Sequence, residues 1–274
     1  WLGSYFLRKR GDDAPLRSVE AAAILFTVLL AFTEIRHYIN NGNIYRTSAT
    51  LIEFGLQVCV ALAMAIGLER LRMRTNSVIH NIGALLLTWF AGLAILFGLF
   101  FMENPAIWRI EIAGKFINPL ILGYAIPAIL ALLLSYAVAG RRAAAYANTI
   151  AAGALVLALA YITLEIRRLY HGPFLDSSRT FDAEQYTYSV AWLVFGVVLL
   201  GIGLLLPSQR ARLASAVMIA ITVLKVFLID MSNLTGAYRA FSFIGLGLVL
   251  VAIGWLYQRI LFRQTKTPPA HPAA

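Results

Sequence analysis

Long apolar runs broken by short polar stretches dominate the chain. They fall at roughly Val19–Ile39, Leu51–Leu68, Val78–Met102, Ile117–Ala139, Ala143–Leu164, Tyr186–Leu206, Leu213–Ile229 and Ala240–Leu256. Each is close to the roughly 17–25 residues that a helix needs to cross a bilayer. Stretches such as Ile121–Leu134 and Leu193–Leu206 are apolar on every face, as buried or lipid-facing helices are, whereas a helix of a soluble globule keeps a polar back. No ten-residue alternation of apolar and polar positions, the mark of a membrane barrel, is present. The pattern predicts an all-α, polytopic membrane protein with about eight transmembrane helices.

Composition agrees. Of 274 residues, 60% are hydrophobic and 13% charged, with a mean hydropathy of +0.77, too little polar surface for a water-soluble fold. The net charge of +10 raises the question of nucleic acid, and its distribution answers it. With the N-terminus inside, fourteen cations and four acids lie on the inner side, and eight cations and nine acids on the outer; Lys225 lies within a span. That asymmetry is the positive-inside signal of a cytoplasmic N- and C-terminus. It is not a nucleic-acid footprint, and the partner it implies is the lipid bilayer.

The chain also resembles itself. Phe32-Thr33-Glu34-Ile35-Arg36-His37 is matched by Thr163-Leu164-Glu165-Ile166-Arg167-Arg168, each at the outer end of an apolar run. Nineteen residues after Glu34 comes Glu53, and nineteen after Glu165 comes Glu184. Looser matches follow at Ile66-Gly67 with Ile202-Gly203 and at Trp108-Arg109 with Tyr238-Arg239. The expected organisation is a cytoplasmic segment 1–18, two parallel four-helix repeats at 19–139 and 140–263, and a disordered cytoplasmic tail at 264–274. Because the chain opens on Trp1 without a cleavable signal pattern, it is expected to lack the N-terminal region of a longer protein.

Ionised groups at membrane depth cost about 2.5–3.5 kcal/mol on insertion scales, so each needs a partner or a purpose. Glu34 and Arg36 are two apart and point to different faces, which frees Arg36 to meet Glu53 on the adjacent antiparallel helix, and Arg167 to meet Glu184. Lys225 and Asp230 are five apart, about 140° round an α-helix. They are therefore expected to look to other helices, with Glu165 and Arg239 the nearest candidates. Interhelical ion pairs and a substrate or proton pathway both fit these residues, and a desolvated glutamate acting as acid or base is a third use.

Other features add less. His37 and His171 follow the repeated element, but their spacing matches no zinc signature and no metal or other cofactor is expected. His80 lies near an inner helix end, where it is expected to cap or bond a neighbouring helix. Pro119 and Pro127 predict a kink or break in the fourth span. The glycines at 196, 201, 203, 245, 247 and 254 permit close helix contact, within the chain or in an oligomer. Cys59 has no partner cysteine and reads as an inert core residue.

Lys225-Val226-Phe227-Leu228-Ile229-Asp230-Met231-Ser232-Asn233-Leu234, followed by Tyr238-Arg239-Ala240-Phe241-Ser242-Phe243-Ile244-Gly245-Leu246-Gly247, resembles the ending of the bacterial predicted membrane proteins grouped as domain-of-unknown-function family 2339. The resemblance is strongest over about Ala143–Arg263 and implies a bacterial inner-membrane protein, but no activity. No phosphate loop, nucleophile triad or paired-cysteine site is visible. The leading functional expectation is transport or translocation of a small solute or envelope component. It would run through an outward-facing cavity lined by Glu34, Arg36, Glu53, Glu165, Arg167, Glu184, Lys225, Asp230 and Arg239. The alternatives are a structural or assembly scaffold held by ion pairs, or a membrane-embedded transferase acting on a lipid-linked substrate.

Overall fold

A computed structural model describes residues 2–8, 13–46, 50–114, 117–177, 179–206 and 208–230, together with 244, 245, 247, 248, 250–252, 254, 255 and 258. The described residues form eight helices: α1 (Leu2–Arg8), α2 (Ala14–Ile39), α3 (Leu51–Thr75), α4 (Val78–Met102), α5 (Ile121–Val138), α6 (Ala144–His171), α7 (Asp182–Leu205) and α8 (Gln209–Asp230). Seven of them, α2 to α8, are long and apolar enough to cross a membrane. Of the eighth expected span, Ala240–Leu256, nine of seventeen residues are described and all nine are helical, while the tail 264–274 lies wholly outside the described residues. Within the expected segment 1–18, α1 is helical and α2 begins at Ala14.

Helix ends follow local chemistry. Asp13 caps α2 by accepting from Leu16 N at 3.1 Å, and Pro15 occupies its first turn, where a missing N–H costs nothing. Asn76, in the left-handed conformation at φ 50°, ends α3, and Ser77 opens α4 by accepting from Ile79 N. A link this short forces α3 and α4 to run antiparallel.

Two compact units are distinguishable, residues 1–184 and 185–274. In the first, α3 is central and packs against α2, α4 and α5, while α6 packs on α5. Its core includes Val58, Ala61, Leu62 and Ala65 of α3, Leu99 of α4, Tyr124 and Leu134 of α5, and Leu157 of α6. In the second, α7 and α8 approach closely at Gly196, where Ser215 Oγ donates to the Gly196 carbonyl at 2.7 Å.

The kink expected of Pro127 takes the form of a π-turn. Ile121–Ala125 is wound with i→i+5 bonds, Ile126 N reaching Ile121 O. Proline offers no N–H to the turn before it, so the backbone widens there. The Leu122 carbonyl faces α3, with Cys59 Sγ 3.8 Å away, and a Cβ added at Gly55 would lie 2.6 Å from that oxygen. The end of α4, Ala94–Met102, is also π-helical, and Tyr124 Oη donates to its Leu99 carbonyl at 2.7 Å. The α4–α5 and α6–α7 loops are joined. Ile112 N bonds Pro173 O at 2.7 Å, Glu111 and Phe174 form an antiparallel bridge, and Arg109 stacks 4.4 Å above the Phe174 ring.

Candidate functional site: buried ion pairs at the helix ends

Arg36 lies in the last turns of α2 and Glu53 in the first turn of α3, where Thr50 Oγ1 accepts from the Glu53 N–H at 3.3 Å. A carboxylate there is favoured by the unpaired N–H groups of the helix start. Glu53 is wholly buried, and Arg36 Nη1 donates to its Oε1 at 2.7 Å. The rest of the guanidinium fork is used as well. Arg36 Nε donates to the Ile44 carbonyl at 2.7 Å, and Nη2 to the Arg46 carbonyl. Asn40 Nδ2 reaches Glu53 Oε2 at 3.3 Å and Gln57 Nε2 reaches Oε1 at 3.4 Å. One planar cation thus ties a helix end, a loop and the next helix start, which a flexible ammonium does not do.

Arg167 does the same with the same atoms. Its Nε donates to the Leu175 carbonyl at 2.5 Å, Nη2 to the Ser177 carbonyl, and Nη1 to Glu184 Oε1 at 3.3 Å. In both sets the partners stand eight, ten and seventeen residues beyond the arginine. Every member of the second set is 131 residues on from its counterpart in the first. The fourth member differs in type, for His171 stands where Asn40 does. Its Nε2 is 2.8 Å from Glu184 Oε2, its ring stacks on Phe181 with centroids 5.4 Å apart, and Phe181 N donates to the same oxygen at 3.2 Å. His171 is therefore part of the clamp, while His37 is exposed.

Glu34 and Glu165, matched in sequence, sit differently. Glu34 is exposed. Glu165 accepts from Asn118 Nδ2 at 2.6 Å and pairs with Arg168 at 2.8 Å, fastening the start of α5 to α6. Arg239 lies outside the described residues.

Lys225 and Asp230 correct the sequence expectation, because they pair with each other at 2.7 Å. The 140° separation holds only for an α-helix. Val226–Asp230 is π-helical, and a turn closed by i→i+5 bonds returns a residue five positions on to nearly the same face. Lys225 Nζ also donates to Ser189 Oγ at 2.7 Å and to the Gln185 carbonyl at 3.0 Å, and Ser189 Oγ donates to the second oxygen of Asp230.

Two further carboxylates escaped the sequence reading, which placed them among inner-side charges. Glu20, 1% exposed, pairs with Arg8, accepts from Ser77 Oγ, and has His80 Nε2 at 4.0 Å. Glu69, 2% exposed, pairs with Arg142 at 2.5 Å and Arg72 at 3.0 Å. The signals were present: Glu20 follows the first residue of an apolar run, and Glu69 and Arg72 have helical i,i+3 spacing. His80 meets Thr75 Oγ1 at 2.9 Å, so it does bond at a helix end, across the α3–α4 turn. Just beyond α4, burial raises the Glu103 carboxyl above its ordinary range.

The second unit also bears a groove of about 470 Å³ along α8, lined by Ala216, Ile219, Ala220, Val223, Leu224, Phe227 and Leu250, all apolar. The chain belongs to the DUF2339 family, described as predicted membrane proteins, whose model matches residues 1–260. Neither the curated proteins nor the solved structures contain a match to it.

Proposed function

We propose that this member of the DUF2339 family is a structural module of the bacterial inner membrane, in which buried charges fasten helices and order loops and do not handle a solute. One observation carries this reading. Each of the five buried carboxylates among the described residues, Glu20, Glu53, Glu69, Glu184 and Asp230, has both oxygens engaged by donors of the chain itself. A transport site or a catalytic acid needs a carboxylate free to exchange its partner for substrate, proton or water. Here that exchange would strand a buried cation or break a loop anchor.

The two arginine clamps at one constant offset support an origin in two parallel four-helix repeats, 19–139 and 140–263. The charge asymmetry supports cytoplasmic termini and clamps on the outer side. Such a module serves the envelope by holding other components in register, and the loop surface that the clamps order is what it presents to them.

Water access separates this reading from transport. In a Cys59→Ser background, single cysteines replace Gln57 and Ser189, beside the first clamp and the lysine pair, and Asn43, in an exposed loop. In proteoliposomes a charged, membrane-impermeant methanethiosulfonate reagent should modify Asn43→Cys quickly and the other two orders of magnitude more slowly. Modification of Gln57→Cys or Ser189→Cys at the loop rate would show a wet cavity and restore the transport reading.

A further inference from the structure

We infer that α1 is an interfacial helix that binds the inner lipid surface of the membrane, held there by the Arg8–Glu20 pair. Leu2, Tyr5 and Phe6 are spaced i, i+3 and i+4, which puts them on one face of a helix. They are 79%, 63% and 64% exposed, whereas Ser4 on the other face is buried at 8%. On a water-soluble protein such a stripe would be a liability, so its depth decides what meets it.

Depth is set by α2. A Cβ added at Gly3 would lie 3.7 Å from Val19 Cγ1, so the backbone of α1 runs beside Val19. Val19 is where the first apolar run begins, and from there α2 presents Leu25, Phe26, Leu29 and Leu30 outward, each more than half exposed. Lipid must cover that face, so α1 lies where hydrocarbon gives way to headgroups. An amphipathic helix there buries its apolar face in the boundary and keeps its cation near the phosphates, and the Tyr5 ring suits the same layer.

Arg8 has a second task. Its guanidinium pairs with Glu20, whose other oxygen takes Ser77 Oγ from the α3–α4 turn. The contact couples α1 to two membrane helices and their inner turn, and it neutralises Glu20, which is wholly inside α2. Charge is therefore removed at the place where α1 enters the interface.

The test uses the whole chain with Cys59→Ser, reconstituted in phosphatidylethanolamine–phosphatidylglycerol vesicles. Nitroxide labels are placed at Leu2→Cys and Phe6→Cys, with Arg74→Cys, exposed in the last turn of α3, as the aqueous reference. Power-saturation measurements then compare collisions with oxygen, which concentrates in lipid, and with a water-soluble nickel chelate. The expected oxygen-to-nickel ratio at 2 and 6 is several-fold above that at 74. Adding Arg8→Ala should lower it towards the reference as α1 leaves the boundary. Ratios equal to the reference would place α1 in water, and labels reached by neither agent would place it against protein; either result overturns the inference, as does a ratio unmoved by Arg8→Ala.

Discussion

Replacing Arg36 by methionine is the sharpest test of the clamp. Glu53 is wholly buried, and Arg36 is the cation that pairs with it. Removing one member of a buried pair leaves an uncompensated charge and costs about 3–5 kcal/mol. The side chain of Arg36 is 28% exposed, so water can enter where it leaves, which favours the lower end. The carbonyls of Ile44 and Arg46 lose their donors as well. Arg36→Lys keeps the charge but not the fork, and forfeits those two bonds, each worth on the order of 1–3 kcal/mol when charge-assisted. Arg36→Met combined with Glu53→Leu leaves no buried charge, and its cost should fall below that of the single change, what remains coming from the Ile44 and Arg46 carbonyls and from the Asn40 and Gln57 amides that lose the carboxylate. The assay is reversible unfolding in mixed micelles, following tryptophan fluorescence against the mole fraction of denaturing detergent. Arg167→Met should match Arg36→Met to within about 1 kcal/mol if the clamps are equivalent. A single variant within about 0.5 kcal/mol of the parent, or a double as costly as the single, would refute the reasoning.

Two more outcomes follow from the packing. Gly55→Ala should destabilise by about 1–3 kcal/mol in the same assay, because its Cβ would meet the Leu122 carbonyl at 2.6 Å, while Gly67→Ala, with open space around it, should be neutral or stabilising by up to about 1 kcal/mol. Lys225→Met should cost about 3–5 kcal/mol by stranding Asp230, and Lys225→Met with Asp230→Leu should recover much of it. Equal losses for that single and double would mean that the pair does not hold charge in a dry site.

The seven described membrane helices were legible because hydropathy is local. Within lipid every backbone polar group must be satisfied by its own segment, so an apolar run of sufficient length has little choice but to be a helix. The clamp pairs were legible for a related reason. Arg36 with Glu53 and Arg167 with Glu184 join neighbouring antiparallel helices through one loop, a constraint that spacing alone conveys. The loop carbonyls and the Asn40 and His171 partners were not legible, since they depend on how each loop folds back over the arginine.

Glu34 and Glu165 show where pattern misleads, because a shared Glu-Ile-Arg element did not give identical environments: Asn118 and Arg168, the latter standing where His37 does in the first half, engage Glu165, and Glu34 remains exposed. By itself the sequence determined the helical membrane class, seven of the eight expected spans and the fixed-offset ion pairs, all properties of local hydropathy and short-range connection. Only the tertiary structure decided that Lys225 meets Asp230, that Glu20 and Glu69 are buried nodes and that α1 folds back beside Val19. Those outcomes depend on helix pitch and rotation, and a π-turn of a few residues is enough to change which side chains share a face.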